Sequence, residues 1–250
     1  MVRALAAFAC FAWPAASEAA CRLALLLALD VSGSVDAREY ALQTDGVAKS
    51  LTDPEVQELI FAMPDAPVAL SVFEWSSASY QQIIQDWVLL ETEADLWAVH
   101  DRLRGWPRSV APDATGLGAA LAYAVDHFET APDCWDQTLD ISADGKNNDW
   151  PLPRRLREGG ELGDMNVNAL VVAPDFLVLH DKERVGIEEM ADYFRHRIIH
   201  GPGAFVEIAL GYDDYADALR RKLIRELTPL PIGQAPSRAP YRQAGEFSRN

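Results

Sequence analysis

The sequence predicts an α/β domain: a doubly wound, mostly parallel open sheet with helices on both faces and one antiparallel edge strand. Three observations predict it. Leu23 to Leu29 reads LALLLAL, an unbroken apolar run that suits a strand buried on both faces. Strand-like and helix-like segments then alternate along the chain. Acidic residues stand where strands stop, at Asp30 and in Ala143-Asp144-Gly145, and open α/β sheets gather ligands at that edge.

After the first strand, Asp36 to Leu51 reads as a helix, with Ser34 as its expected cap and Tyr40, Val47, Ala48 and Leu51 near one face. Beyond Pro64 and Pro67, Val68–Trp75 and Gln82–Leu89 are strand candidates separated by a polar, serine-rich turn, the pattern of a hairpin. Glu93 to Leu103 is helical, and Gly105 to Asp113 is a loop. Thr115 opens another helix, whose Leu117, Leu121, Ala124 and Phe128 follow the spacing of a packed face. Gln137–Ser142 and Val167–Val172 are further strands. Lys182 to His200 is a helix terminated by Gly201, Ala204–Leu210 a last strand and Tyr212–Leu227 a last helix.

The chain has 250 residues, 49% hydrophobic and 24% charged, the profile of one globular domain with appendages. Its formal charge of −16 supplies no field for phosphate backbones, so nucleic acid is excluded as a partner class, whereas cations are favoured. Residues 1–19 read as a secretory signal, with Arg3, an apolar run from Ala4 to Trp13 and a small-residue region ending Ser17-Glu18-Ala19. No transmembrane segment is expected, because no stretch reaches the roughly 20 apolar residues a spanning helix needs. The domain is placed at 21–228 and a flexible, proline-rich tail at 229–250. A periplasmic or secreted location follows. With Cys10 lost in the signal, Cys21 and Cys134 remain as an even pair, read first as a disulfide. Lipidation of Cys21 and two unpaired buried thiols are the rival readings.

Three pieces of chain converge on the carboxyl edge of the predicted sheet. They are Asp30-Val31-Ser32-Gly33-Ser34, then Thr115 in Asp113-Ala114-Thr115-Gly116, then Asp144. Together they offer two carboxylates and three hydroxyls, hard oxygen donors with no histidine or thiolate beside them, which suits Mg2+ or Mn2+, Ca2+ less well, and not zinc. Asp36 and Asp113 lie close by and read as helix-start and turn residues. His196 and His200 are four apart but lack the glutamate of a zinc-protease motif, so they read as surface and helix-end residues. Trp106 and Trp150, each beside a proline in a loop, are candidate partner contacts.

Asp30-x-Ser32-x-Ser34 followed in order by Thr115 and Asp144 resembles the metal-ion-dependent adhesion site of von Willebrand factor type A domains, a Rossmann-like fold. The likeness spans residues 22 to 227, and the wider text, including Phe73-Glu74-Trp75-Ser76 and Asp140 to Asn148, looks like an exported bacterial branch of that family. The resemblance implies that the serines and threonine contact the metal, that the two aspartates act largely through water, and that a partner's Asp or Glu carboxylate fills the open position. It also implies that the strands after Cys21 and Cys134 are neighbours, which supports the disulfide. Closing that loop is worth about 4 to 5 kcal/mol on a chain-entropy view.

The expectation is an exported, metal-dependent protein-binding module for adhesion or assembly, and not an enzyme. A metal-dependent phosphoester hydrolase is the first alternative, since a metal with an open position activates water, but no general base is evident. A structural or assembly factor whose metal only stabilises the fold is the second. The nucleophile elbow, the phosphate-binding loop and the dinucleotide fingerprint are all missing from the sequence.

Overall fold

The computed structural model describes residues 21–173 and 184–228, so the expected leader and tail lie outside the described residues. Six strands form one sheet: β1 (Cys21–Asp30), β2 (Val68–Trp75), β3 (Gln81–Leu90), β4 (Cys134–Ala143), β5 (Asn166–Val172) and β6 (Val206–Ala209). Their order is β3-β2-β1-β4-β5-β6, and every neighbouring pair is parallel except β2 and β3. The expected doubly wound sheet with one antiparallel edge strand is what the chain forms.

Seven helices among the described residues cover it: α1 (Ala37–Leu51), α2 (Pro54–Ile60), α3 (Glu93–Gly105), α4 (Leu117–Phe128), α5 (Pro153–Gly159), α6 (Arg184–Arg197) and α7 (Tyr215–Leu227). The apolar run of β1 explains its central place. Leu23, Leu25, Leu27 and Leu29 enter a core shared with Val47 and Leu51 of α1, Leu96 and Leu103 of α3, and Leu219 and Leu223 of α7. Ala24, Leu26 and Ala28 face the opposite core, with Leu121 and Phe128 of α4 and Phe194 of α6. A strand that buries side chains on both faces has no room for the polar alternation of an edge. Cys21 lies in register with Cys134 and is bridged to it, so the disulfide reading holds and the lipidation and free-thiol readings fall.

Four local expectations are corrected. Asp36, not Ser34, caps α1: Asp36 Oδ1 accepts from the backbone N–H of Arg38 and Glu39 at 2.7 and 2.9 Å, and Glu39 Oε2 accepts from Asp36 N at 2.7 Å. The Ser34 hydroxyl is committed elsewhere, as shown below. The helix expected to run to His200 ends at Arg197, because His200 turns back to form an antiparallel bridge with Val167, with N–H to carbonyl distances of 2.8 and 3.1 Å. Gly201, with φ +92°, therefore follows a bridge and not a helix. The last strand is confined to Val206–Ala209, and a 3-10 turn at Tyr212–Asp214 precedes α7. Finally, α2 and α5 appear where no helix was expected; each is seven residues long and opens on a proline, whose fixed φ suits a first turn.

Candidate functional site

The carboxyl ends of β1 and β4 lie side by side, Leu29 in register with Ser142, and the chain leaves both strands through short turns. Asp30 is completely buried. Its Oδ1 accepts the backbone N–H of Ser32 at 2.8 Å, and Val35 N donates to Ser32 O at 3.0 Å, which folds the segment back and puts both serine hydroxyls on one side. Ser32 Oγ lies 3.3 Å from Ser34 Oγ, Thr115 Oγ1 donates to Ser32 Oγ at 3.3 Å, and Ser34 Oγ donates to Asp144 Oδ1 at 2.6 Å. All five residues singled out in the sequence are thus brought together, although they come from three segments.

A second set of residues holds them there. Thr115 N donates to Asn148 Oδ1 at 2.7 Å, and Asn148 N returns to Thr115 O at 3.0 Å. Gly118 N donates to Asn147 Oδ1 at 3.1 Å. A Cβ at Gly118 would sit 1.8 Å from Pro151 O, so the loop after β4 packs directly on the first turn of α4, and only glycine permits that approach. At Gly33 an added Cβ would lie 2.9 Å from Asp113 Cβ, and Gly33 N donates to Asp113 O at 3.0 Å. Asp113 joins the network through its backbone, in the turn expected of it, and Asp36 stays at the helix start. Tyr212 completes the cradle, its hydroxyl donating to Asp144 Oδ2 at 3.4 Å.

Asn147, Asn148 and Tyr212 were not anticipated as part of the site. The run Lys146-Asn147-Asn148-Asp149 carried a signal, because side-chain amides after a strand end are well suited to tie loops to a helix's unsatisfied first N–H groups. Tyr212 carried none, since it is 68 residues from Asp144.

The electrostatics disfavour two ionised carboxylates here. Burial, followed by the neighbouring Asp144, pushes the Asp30 carboxyl up to about 8 against the opposing hydrogen bonds of Ser32. Asp144 is raised as well, by burial above all, with Ser34 and Tyr212 opposing. Asp30 Oδ2 is buried with no hydrogen-bond partner. Among the described residues no group of three or more His, Cys, Asp or Glu is suited to a metal ion. The present set is two carboxyl groups and three hydroxyls, and an orphaned carboxyl oxygen beside hydroxyls, all hard oxygen donors, fits a hard divalent cation.

The two tryptophans stand outside this cluster. Trp106 caps the end of α3 and is half-buried, packed against the core beneath α1 and α3. Trp150 is 57% exposed in the loop after β4, with the Arg155 guanidinium 4.9 Å over its ring. His196 is exposed, and His200 Nε2 lies 3.1 Å from Gly163 O, neither near the site.

Residues 20–231 match the family described as "Protein of unknown function (DUF1194)". No curated protein sequence matches the chain. Among solved structures, the mussel byssus proximal thread matrix protein 1 aligns with a TM-score of 0.57 at 12% identity, over 83% of this chain and 48% of that one. Another structure of the same mussel protein, with a zinc-occupied MIDAS motif, aligns at 0.55 and 14% identity, over 84% of this chain and 48% of that one. A von Willebrand factor type A protein from Catenulispora acidiphila gives 0.55 at 16% identity, covering 83% and 43%. The pilus adhesin SpaC of Lactobacillus rhamnosus GG, in its open conformation, gives 0.54 at 15%, covering 84% and 31%. These likenesses establish the von Willebrand factor type A fold. The chain spans less than half the length of each of these proteins.

Proposed function

We propose, for a chain that belongs to the family described as "Protein of unknown function (DUF1194)", that the edge of the sheet is a metal-dependent adhesion site and the protein a binding module rather than an enzyme. The observation that carries this is the convergence of Ser32, Ser34, Thr115, Asp30 and Asp144 into one hydrogen-bonded cluster that leaves a buried carboxylate oxygen of Asp30 without a partner. Those five residues would hold Mg2+ or Mn2+, with Ca2+ fitting less well. Bound there, the ion supplies a positive charge that a carboxylate from outside can share.

The chain's own contribution is orientation. Asp30 fixes the turn that carries the serines, Asn148 fixes Thr115, and Tyr212 fixes Asp144. Three neutral hydroxyls offset less of the ion's charge than three carboxylates would, so its affinity for an Asp or Glu of a protein partner is retained. The adhesin and the mussel matrix protein that share the fold support a binding role, and the zinc-occupied motif of the latter supports a divalent ion. Export to the periplasm or beyond follows from the leader-like residues 1–19 and accords with the disulfide. No described helix is long and apolar enough to cross a membrane.

The test is retention. Immobilised mature protein and its Asp144→Ala variant are exposed to an extract of the source cells with Mg2+ or with chelator, and bound proteins are identified. Partners held by the wild type with Mg2+ alone are the expected result. An identical set under all conditions overturns the reading.

A further inference from the structure

At the amino edge of the sheet, opposite the five-residue cluster, the turn after α2 and the junction of β3 with α3 enclose a groove of about 300 Å3. Its wall is apolar, formed by Ile60, Phe61, Met63, Pro67 and Leu90, and its rim carries the exposed Glu91 and Glu93. Asp65, also exposed, stands in the same turn. No lysine or arginine occurs between residues 50 and 101, and neither glutamate has an ion-pair partner among the described residues. The groove thus combines an apolar wall with negative charge that its own segments do not offset.

Arg22 ties the end of the last helix to this groove. Its backbone N–H donates to Pro67 O at 3.0 Å, and its buried guanidinium donates to Leu59 O at 2.6 Å and to Leu227 O at 3.2 Å. The final carbonyl of α7 is therefore held beside the turn that carries Ile60 and Phe61. Thr228 follows with φ −65° and ψ 117°, the extended backbone that a residue before proline prefers. The sequence continues Pro229-Leu230-Pro231-Ile232, four residues that reach about 13 Å when extended. The family match runs to residue 231, past the end of α7 at Leu227, so Pro229 to Pro231 belong to the matched unit.

We infer that residues 229–232 lie extended in this groove as a strap, with Leu230 and Ile232 against its apolar wall and the following residues passing over Glu91 and Glu93. Two arguments select the chain's own segment as the occupant. Its covalent attachment at Thr228 keeps it beside the groove at a high effective concentration. Its charge is also complementary, since residues 233–250 carry Arg238, Arg242 and Arg249 against Glu246 alone. Ile60, Leu90 and Leu227 already share one core, which the strap extends outward. The consequence is spatial. A strap there holds the tail about 25 Å along β1 from Asp30 and leaves the carboxyl edge of the sheet open. This inference does not depend on the adhesion reading.

Amide hydrogen exchange of the full-length protein tests it, read at Phe61, Ala62 and Ala66, whose N–H groups donate to nearby carbonyls in and before the turn. Leu230→Ser/Ile232→Ser removes the proposed contacts without altering any described residue. Exchange at the three amides should become about tenfold faster or more in that variant, and stay unchanged in β1 and β4. Tyr241→Ser/Phe247→Ser, which changes apolar residues beyond the strap, should leave all of them unchanged. Glu91→Gln/Glu93→Gln should speed exchange by a smaller factor, and at low salt only. Equal exchange in wild type and Leu230→Ser/Ile232→Ser overturns the strap, as does acceleration confined to another face. Acceleration by Tyr241→Ser/Phe247→Ser instead overturns the assignment to residues 229–232. Protection that rises with protein concentration gives the groove to a second copy and likewise overturns it.

Discussion

Two buried carboxylates lie four residues apart along β4 and its exit, Asp140 beneath α7 and Asp144 at the sheet edge, and their surroundings differ in one respect. Asp140 has a cation of the chain's own: Lys222 Nζ is 2.7 Å away and also 2.6 Å from Glu226, and Asn168 Nδ2 donates to Glu226 at 2.7 Å. Asp144 has the hydroxyls of Ser34 and Tyr212 and, as its charged neighbour, another carboxylate. Among the described residues no lysine or arginine pairs with Asp30 or Asp144. Both regions face the same desolvation, which costs several kcal/mol per buried ion. The interior meets it with a side chain that cannot leave, and the edge with neutral donors that, on the function proposed above, await a charge from solution. A fixed counter-ion makes a structural element, whereas an exchangeable one makes a site.

The interior cluster offers the largest test of this contrast. Lys222→Met strands Asp140 and Glu226 in the core, and should cost about 3–5 kcal/mol in denaturant unfolding, with or without Mg2+. A loss below about 1 kcal/mol would mean that the lysine is not the counter-charge it is taken to be. Gly118→Ala sharpens the other side. Its Cβ must displace Pro151, so about 1–3 kcal/mol should be lost, together with much of the response to Mg2+, because the same loop carries Asn147 and Asn148.

The pH response should separate the two regions. Asp30 sits at about 8 in the folded chain against roughly 4 when unfolded, so the folded state holds its proton more tightly and stability falls as pH rises between those values. Asp140, pushed up to about 7 by burial and Glu226 against the opposing Lys222, acts in the same direction. In chelator, melting temperature should therefore drop from pH 5 to pH 8. Mg2+ should remove the part due to Asp30 and leave the part due to Asp140. Asp30→Asn in chelator should melt about 2–4 °C higher than wild type at pH 8 and no longer respond to Mg2+. A variant that melts lower and still responds would contradict the account of the edge.

The contrast also marks how much could be read in the sequence. Asp30, Ser32 and Ser34 were legible because a short motif follows a strand too apolar to belong anywhere but the centre of a covered sheet. Thr115 and Asp144 were legible because each stands where one element gives way to the next. The strand order was not read, and the neighbouring of the strands after Cys21 and Cys134 came only with the family resemblance. Lys222 was not legible as a partner of Asp140: 82 residues separate them, and a lysine three positions after Leu219 reads as the solvated side of an amphipathic helix. A hint was present in Thr138, Asp140 and Ser142, which alternate with Leu139, Ile141 and Ala143 and so put polar residues on one face of the strand. The cap of α1 was misplaced because Ser34 and Asp36 are both good caps, and the choice is made by Asp144, which engages the Ser34 hydroxyl from a distant segment.

The central claim is that the edge takes a divalent cation through these five residues and loses a proton in doing so. Calorimetric titration of Mg2+ into the chelator-stripped full-length protein, repeated at pH 7.5 in two buffers of different ionisation enthalpy, tests it most directly. One equivalent bound with release of protons by the wild type, and no saturable heat with Asp144→Ala, is the result the account predicts. Saturable heat of the same size in the variant, or none from the wild type with either Mg2+ or Mn2+, would contradict it.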